Sequence, residues 1–155
     1  MCLPDFERFE IIPKENAITG YRVWRNLISP SIALLSENQN YQWKGKLEGP
    51  HEVKDTDSGI YAYNYYNNCN CYNYYNYILG IIKQYGKVAI HKTGYRSEYA
   101  KIDTLFSIRE SDAPKELLSW IKTFNELVTQ IAEKYEVKVI SYQDYADKMS
   151  SLPKQ

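Results

Sequence analysis

The most regular hydrophobic pattern in the chain lies between residues 117 and 135. Leu117, Ile121, Phe124, Val128, Ile131 and Tyr135 recur at steps of four, three, four, three and four, the repeat of a single helix face. The spacing predicts a long amphipathic helix whose apolar stripe faces a core. Ser111 or Asp112 is expected to cap it, with Pro114 and Glu116 in the first turn. Val137, Val139 and the following "VIS" predict a strand, residues 142–149 a short polar helix, and residues 150–155 a frayed tail.

Upstream the pattern shortens toward period two. "YRVWRNL", residues 21–27, reads as a strand through its aromatic and β-branched content, and "GIYAY", residues 59–63, as a short one with Ile60 buried. "YILGIIKQY" and "GKVAIHK", parted by Gly86, predict two strands or one long bent strand. "KTGY" predicts a hairpin turn in which Gly94 supplies the positive φ. An apolar piece at 32–35 stands before "NQNYQW", a further brief strand. Residues 44–59, "KGKLEGPHEVKDTDSG", carry Gly, Pro and Asp without periodicity and predict a surface loop, a candidate lid or partner contact. Together these elements predict an α+β fold in one domain, residues 1–155. Its mostly antiparallel, twisted sheet is covered on one face by the long C-terminal helix.

Periodicity fails in "YAYNYYNNCNCYNYYNY", residues 61–77, where eight tyrosines, six asparagines and two cysteines fill all of the seventeen positions but Ala62. No Gly or Pro interrupts the run, while Asn and Tyr are indifferent helix formers, so a weak helix and an extended loop both fit. Tyrosine rings give contact area at low entropic cost and amides adapt their hydrogen bonds, the chemistry of protein-contact and oligomer surfaces. The same rings suit stacking on a base. Compositional bias alone is the third reading.

Nineteen Lys and Arg balance nineteen Asp and Glu, so no overall field draws the chain to nucleic acid or an anionic membrane. No apolar stretch approaches the ~20 residues of a bilayer span, and the N-terminus lacks a leader pattern, so a soluble, cytoplasmic protein is expected. Cys2, Cys69 and Cys71 are too few for a disulfide framework and point to a reducing compartment. With His51 they would make four zinc ligands, but C-x-C is not the usual finger spacing. They are read as free thiols, and neither metal nor cofactor is expected.

Chemistry concentrates in "HKTGYRSEYA", residues 91–100. In an extended chain Arg96 and Glu98 share one face and Tyr95, Ser97 and Tyr99 the other. An ordinary same-face ion pair is one reading. The functional reading makes Arg96 an anion clamp and Glu98 an acceptor for a sugar hydroxyl. In "YRVWRNL", Arg22 and Trp24 share a side and Arg25 takes the other. No Ser-His-Asp order, P-loop, G-x-G-x-x-G or H-E-x-x-H motif occurs, which disfavours the enzymes those motifs serve. The expectation is a binding protein with a concave site between the Tyr61 segment and the 91–99 hairpin, taking a small anionic ligand such as a nucleotide. Arg22, Tyr61, His91, Tyr95, Arg96, Glu98 and Tyr99 form the expected site. Its arginines hold charge while Tyr61 and Tyr95 stack. A protein-contact role for the Tyr/Asn surface, as in an inhibitor, is the rival.

"GYRVW", "GIYAY" and "YILGIIKQYGKVAIHKTGYRSEYAKIDTLF" resemble a set of small bacterial and phage proteins without characterised function. These carry a strand with an aromatic and an arginine, then G-[IV]-Y-A, then a segment ending H-x-x-G-[YW]-R-A-E-Y-A. The likeness covers residues 20–106 and is most specific at His91, Gly94, Tyr95, Arg96, Glu98 and Tyr99. It implies that the Tyr/Asn run stands in place of a helix, and it supplies no activity. Members often carry zinc-like cysteines before G-I-Y-A; Asp57 and Ser58 stand there in this chain. A fainter likeness is to ADP-ribosyltransferases, through Arg22, Tyr61 and Glu98 in that order. It implies an NAD-using alternative with Glu98 catalytic, though the Ser-Thr-Ser and paired-glutamate elements of that family are missing.

Overall fold

Two long strands organise the chain. The computed structural model describes residues 3–27, 33–36, 41–56, 58–71 and 77–152, and β7 (Tyr77–His91) and β8 (Gly94–Ser107) form its central hairpin. Around them stand β1 (Phe6–Ile12), β2 (Ile18–Leu27), β3 (Ala33–Ser36), β4 (Gln42–Trp43), β5 (Leu47–Glu48), β6 (Ile60–Tyr63) and β9 (Lys138–Ser141). Two helices follow the hairpin, α1 (Leu118–Tyr135) and α2 (Tyr142–Ser150). The segments "YILGIIKQY" and "GKVAIHK" make one strand, bent where Gly86 takes a φ of 84° and the pairing register with β8 shifts between Tyr85 and Val88. That bend is a bulge, and a bulge lets a single strand serve two neighbours in succession. The first half of β7 pairs β2 from Tyr77↔Arg25 to Gln84↔Ile18, and the second half pairs β1 from Gly86 to His91.

Across β8 the partners change in the same way: β6 along Gly94–Ser97, β5 at Ala100 and Lys101, and β9 in parallel along Thr104–Ser107. A single bridge, Tyr21↔Tyr63, joins β6 back to β2, so β2, β7, β8 and β6 close into a ring. Gln84, fully buried inside it, donates from Nε2 to the Ile60 carbonyl (2.9 Å) and to Ser97 Oγ (3.0 Å), fastening three of the four strands.

Alternation along the strands supplies two apolar layers. Trp24, Leu34, Trp43, Ile60, Ala62, Ile78, Ile82, Ile102 and Leu105 meet the α1 stripe of Phe124, Val128, Ile131 and Tyr135. On the opposite side, Tyr21, Val23, Leu79, Ile81 and Phe106 pack with Tyr142 of α2. The α+β class, the antiparallel sheet and the C-terminal helix therefore hold, with β8–β9 as the parallel exception. The second face carries its own cover from α2.

Several expectations are corrected. Neither Ser111 nor Asp112 caps the long helix; both lie in a 3₁₀ turn at Glu110–Asp112, and α1 begins at Leu118 without a side-chain cap. Gly94 does not carry a positive φ. It is required by close approach: a Cβ there would meet the Ala62 carbonyl and lie 2.8 Å from Leu3 Cδ2. The 44–59 segment contains β5, and Glu48 and Val53 within it are buried. Strand β1 lies where no element was predicted. The Tyr/Asn run begins in β6, through Tyr63, and continues into a 3₁₀ turn at Tyr66–Cys71; its residues 72–76 lie outside the described residues. So do Pro30, Ile32, residues 37–40, Asp57 and the tail beyond 152.

Candidate functional site

Site geometry follows from the faces of β6 and β8. Tyr61 pairs directly opposite Arg96, so their side chains share a face, and the Arg96 guanidinium lies 5.9 Å from the Tyr61 ring centre. Ile60 and Ala62 take the alternate face, the one packed against α1. Arg22 belongs to that second face. It lies 5.1 Å from the Trp43 ring centre and 6.0 Å from that of Trp24, and its Nη1 donates to the Tyr61 carbonyl at 2.6 Å. The two expected anion clamps are thus on opposite sides of the sheet.

Arg96 is almost wholly buried, 2% exposed. A cation there needs its donors met, and the chain itself meets those of Nε and Nη1. Nη1 donates to the carbonyls of Thr56 (2.6 Å) and Ser58 (2.7 Å), and Nε to His91 Nε2 (2.9 Å). Ser58 Oγ in turn accepts from the Lys54 backbone N–H at 2.6 Å. Arg96 therefore pins this segment to the sheet at Thr56 and Ser58. His91, buried at the end of β7, donates from Nδ1 to the Pro4 carbonyl (3.2 Å), and accepting from Arg96 requires its neutral form. Burial, reinforced by the Arg96 charge, holds its pKa below the usual histidine value.

The pinned segment forms one wall of a groove of about 450 Å³, whose other walls are β1 and the β7–β8 bend. Phe9, His51, Glu52, Val53, Lys54, Asp55, Lys87 and Glu98 line it. The bend shapes its floor. A Cβ on Gly86 would lie 2.7 Å from Glu98 Oε1, and that oxygen accepts from the Lys87 backbone N–H at 3.1 Å. The Lys87 ammonium rests 4.4 Å from the Phe9 ring centre, a cation–π contact that leaves the charge at the groove wall.

His51 is held from behind. Its backbone N–H donates to the Glu98 carbonyl (2.9 Å), and its Nε2 lies 3.0 Å from Oε1 of the buried Glu48. The same carboxylate oxygen accepts from Tyr41 Oη at 2.5 Å. That hydrogen bond, with burial behind it, pushes the Tyr41 phenol up to about 12. A carboxylate turned to one ring nitrogen fixes the orientation of an imidazole and leaves the other nitrogen to meet a ligand.

Of the expected site residues, Glu98 alone lines this groove. Arg96 and His91 support it from beneath, and Tyr61 lies beside Arg96. Tyr95 and Tyr99 take opposite faces of β8: Tyr95, paired with Ala62 of the α1-facing core, is half-buried with its phenol raised by burial, while Tyr99, next to Ala100 of that same core, faces away from it and stacks on Tyr85 at 5.2 Å. Of Arg22, Tyr61 and Glu98, the trio of the ADP-ribosyltransferase likeness, Glu98 lines this groove and the other two do not. The sequence reading passed over Phe9, Glu48 and Lys87, and noted His51 only as a loop histidine and thin zinc ligand. The signal it had was the Glu48/His51 spacing of three before Val53. Among the described residues no group of three His, Cys, Asp or Glu side chains is placed to hold a metal ion, Cys2 and the side chains of Cys69 and Cys71 lying outside them. Among these residues, too, no helix is long and apolar enough to cross a membrane. No protein-family model, curated protein or solved structure matches the chain.

Proposed function

We propose that this chain is a small binding protein that takes a nucleotide-sized ligand in the groove between β1, the 51–55 segment and the β7–β8 bend. The observation that supports this reading is the convergence of five charged side chains, His51 and Phe9 on one hollow of about 450 Å³, within the ~300–1,000 Å³ of small-molecule sites. Lys87 and Lys54 meet an anionic group such as a phosphate or carboxylate. Glu98 and the outer nitrogen of His51 meet hydroxyl or ammonium donors. Acids and bases are mixed in the lining, which favours a ligand carrying an anion beside such donors over a simple polyanion. Arg96 serves as a positioning residue for the wall, and the Glu48 carboxylate as the group that orients His51.

A thermal-shift screen against mononucleotides, cyclic nucleotides, NAD-derived compounds and amino acids tests the reading. At least one class should raise the melting temperature of the folded protein, and Lys87→Ala or Glu98→Gln should diminish that rise. Silence across the panel, or a rise indifferent to both substitutions, contradicts it and turns the search toward a protein partner.

A further inference from the structure

We infer that β1 is a self-pairing edge through which two copies of this chain join into one continuous sheet. Strand β1 stands at one end of the strand order, paired to β7 on its inner side, and among the described residues no strand pairs its outer side. An open edge presents unpaired backbone donors and acceptors, and proteins that remain monomeric blunt or cover such edges. Among the described residues no strand covers this edge, β1 holds no proline, and its one bulge, between Phe6 and Arg8, lies at its start. Phe6, Phe9 and Ile11 are 40%, 38% and 76% exposed along it.

Charge on the strand specifies both the occupant and the register. The Phe6 and Phe9 rings lie 4.9 Å apart on the face that carries the groove, while Arg8 and Glu10 share the other face, 2.8 Å apart. A two-fold axis perpendicular to the sheet pairs each residue with its mirror position about a central one. Centred on Phe9, antiparallel pairing sets Phe9 against Phe9 of the second copy, Arg8 against its Glu10, and Glu10 against its Arg8. Centring on Arg8 or on Glu10 sets like charges directly opposite, which opposes pairing. The strand "FERFE" is thus complementary to itself in one register and repulsive in the registers beside it. Because the axis is perpendicular to the sheet, the two grooves open on the same side of the joined sheet, with both Phe9 rings between them.

Sedimentation velocity over a range of concentrations tests this with two charge reversals. Wild type should self-associate into a dimer. Arg8→Glu and Glu10→Arg each place like charges opposite one another twice per interface, and each should weaken dimerisation by about tenfold or more. An equimolar mixture of the two variants restores both attractions and should recover a dimer, which a variant that had lost its fold cannot do. A wild type that stays monomeric at every concentration overturns the inference. So do variants that dimerise as well as wild type, or a mixture no better associated than its components.

Discussion

Arg96 commits its guanidinium to the chain's own carbonyls, and the consequence of removing it follows from that. Arg96→Met would leave His91 Nε2 and the part-buried Thr56 and Ser58 carbonyls without their donor; a buried group so orphaned costs about 1–3 kcal/mol, and a carbonyl that water can reach costs less. Chemical denaturation should therefore show a loss of about 2–4 kcal/mol, and an unshifted midpoint would contradict the assignment. His91 carries the pH dependence of the same network. Its folded pKa lies below the ordinary value of about 6.5, so the unfolded chain takes up the proton first as pH falls. The stabilisation from neutral His91 is complete above about pH 6.5 and declines in more acid solution. In His91→Gln, whose amide oxygen can still accept from Arg96, the slope of stability between pH 7 and 5 should flatten. An unchanged slope would assign the dependence elsewhere.

Helix α1 stops at Glu136, which takes a left-handed φ of 59° while its N–H reaches the Ala132 and Glu133 carbonyls. That conformation is unfavourable for a residue with a Cβ and natural for glycine. Glu136→Gly should stabilise the protein by about 0.5–1 kcal/mol, read as a raised denaturation midpoint, while a lowered one would contradict this description of the helix end. The body of this helix was legible because a 3.6-residue period repeated over five steps leaves one face for the core. β7 was legible through its β-branched run and Gly86. β1 was not. The register shift between Phe6 and Arg8 puts Phe6 and Phe9 on one face at a spacing of three, which matches neither a strand nor a sustained helix. The start of α1 was misplaced because two 3₁₀ turns precede it, where Ser, Asp and Pro imitate a cap.

At the scale of the molecule, the ring of β2, β7, β8 and β6 determines which residues meet. The sequence reading put Arg96 and Glu98 on one face of β8 and Tyr95 with Tyr99 on the other, but the irregularity opposite the β7 bend breaks that alternation, and Tyr99 leaves the face of Tyr95. That reading had no means of seeing that Thr56 and Ser58 lie over Arg96 and accept from its Nη1, or that β5 pairing with β8 carries His51 to the side of Glu98. Those contacts join positions about forty to fifty residues apart, and local periodicity carries no record of them. The ligand reading consequently rests on Lys87, His51 and Glu98, and no longer on Arg22 with Arg96. Its most direct test is a ¹H–¹⁵N chemical-shift titration with whichever compound of the thermal-shift panel stabilises most. The account predicts perturbations gathered at Phe9, residues 51–55, Lys87 and Glu98. Perturbations gathered at Arg22 and Tyr95, or none with any compound of the panel, would contradict it.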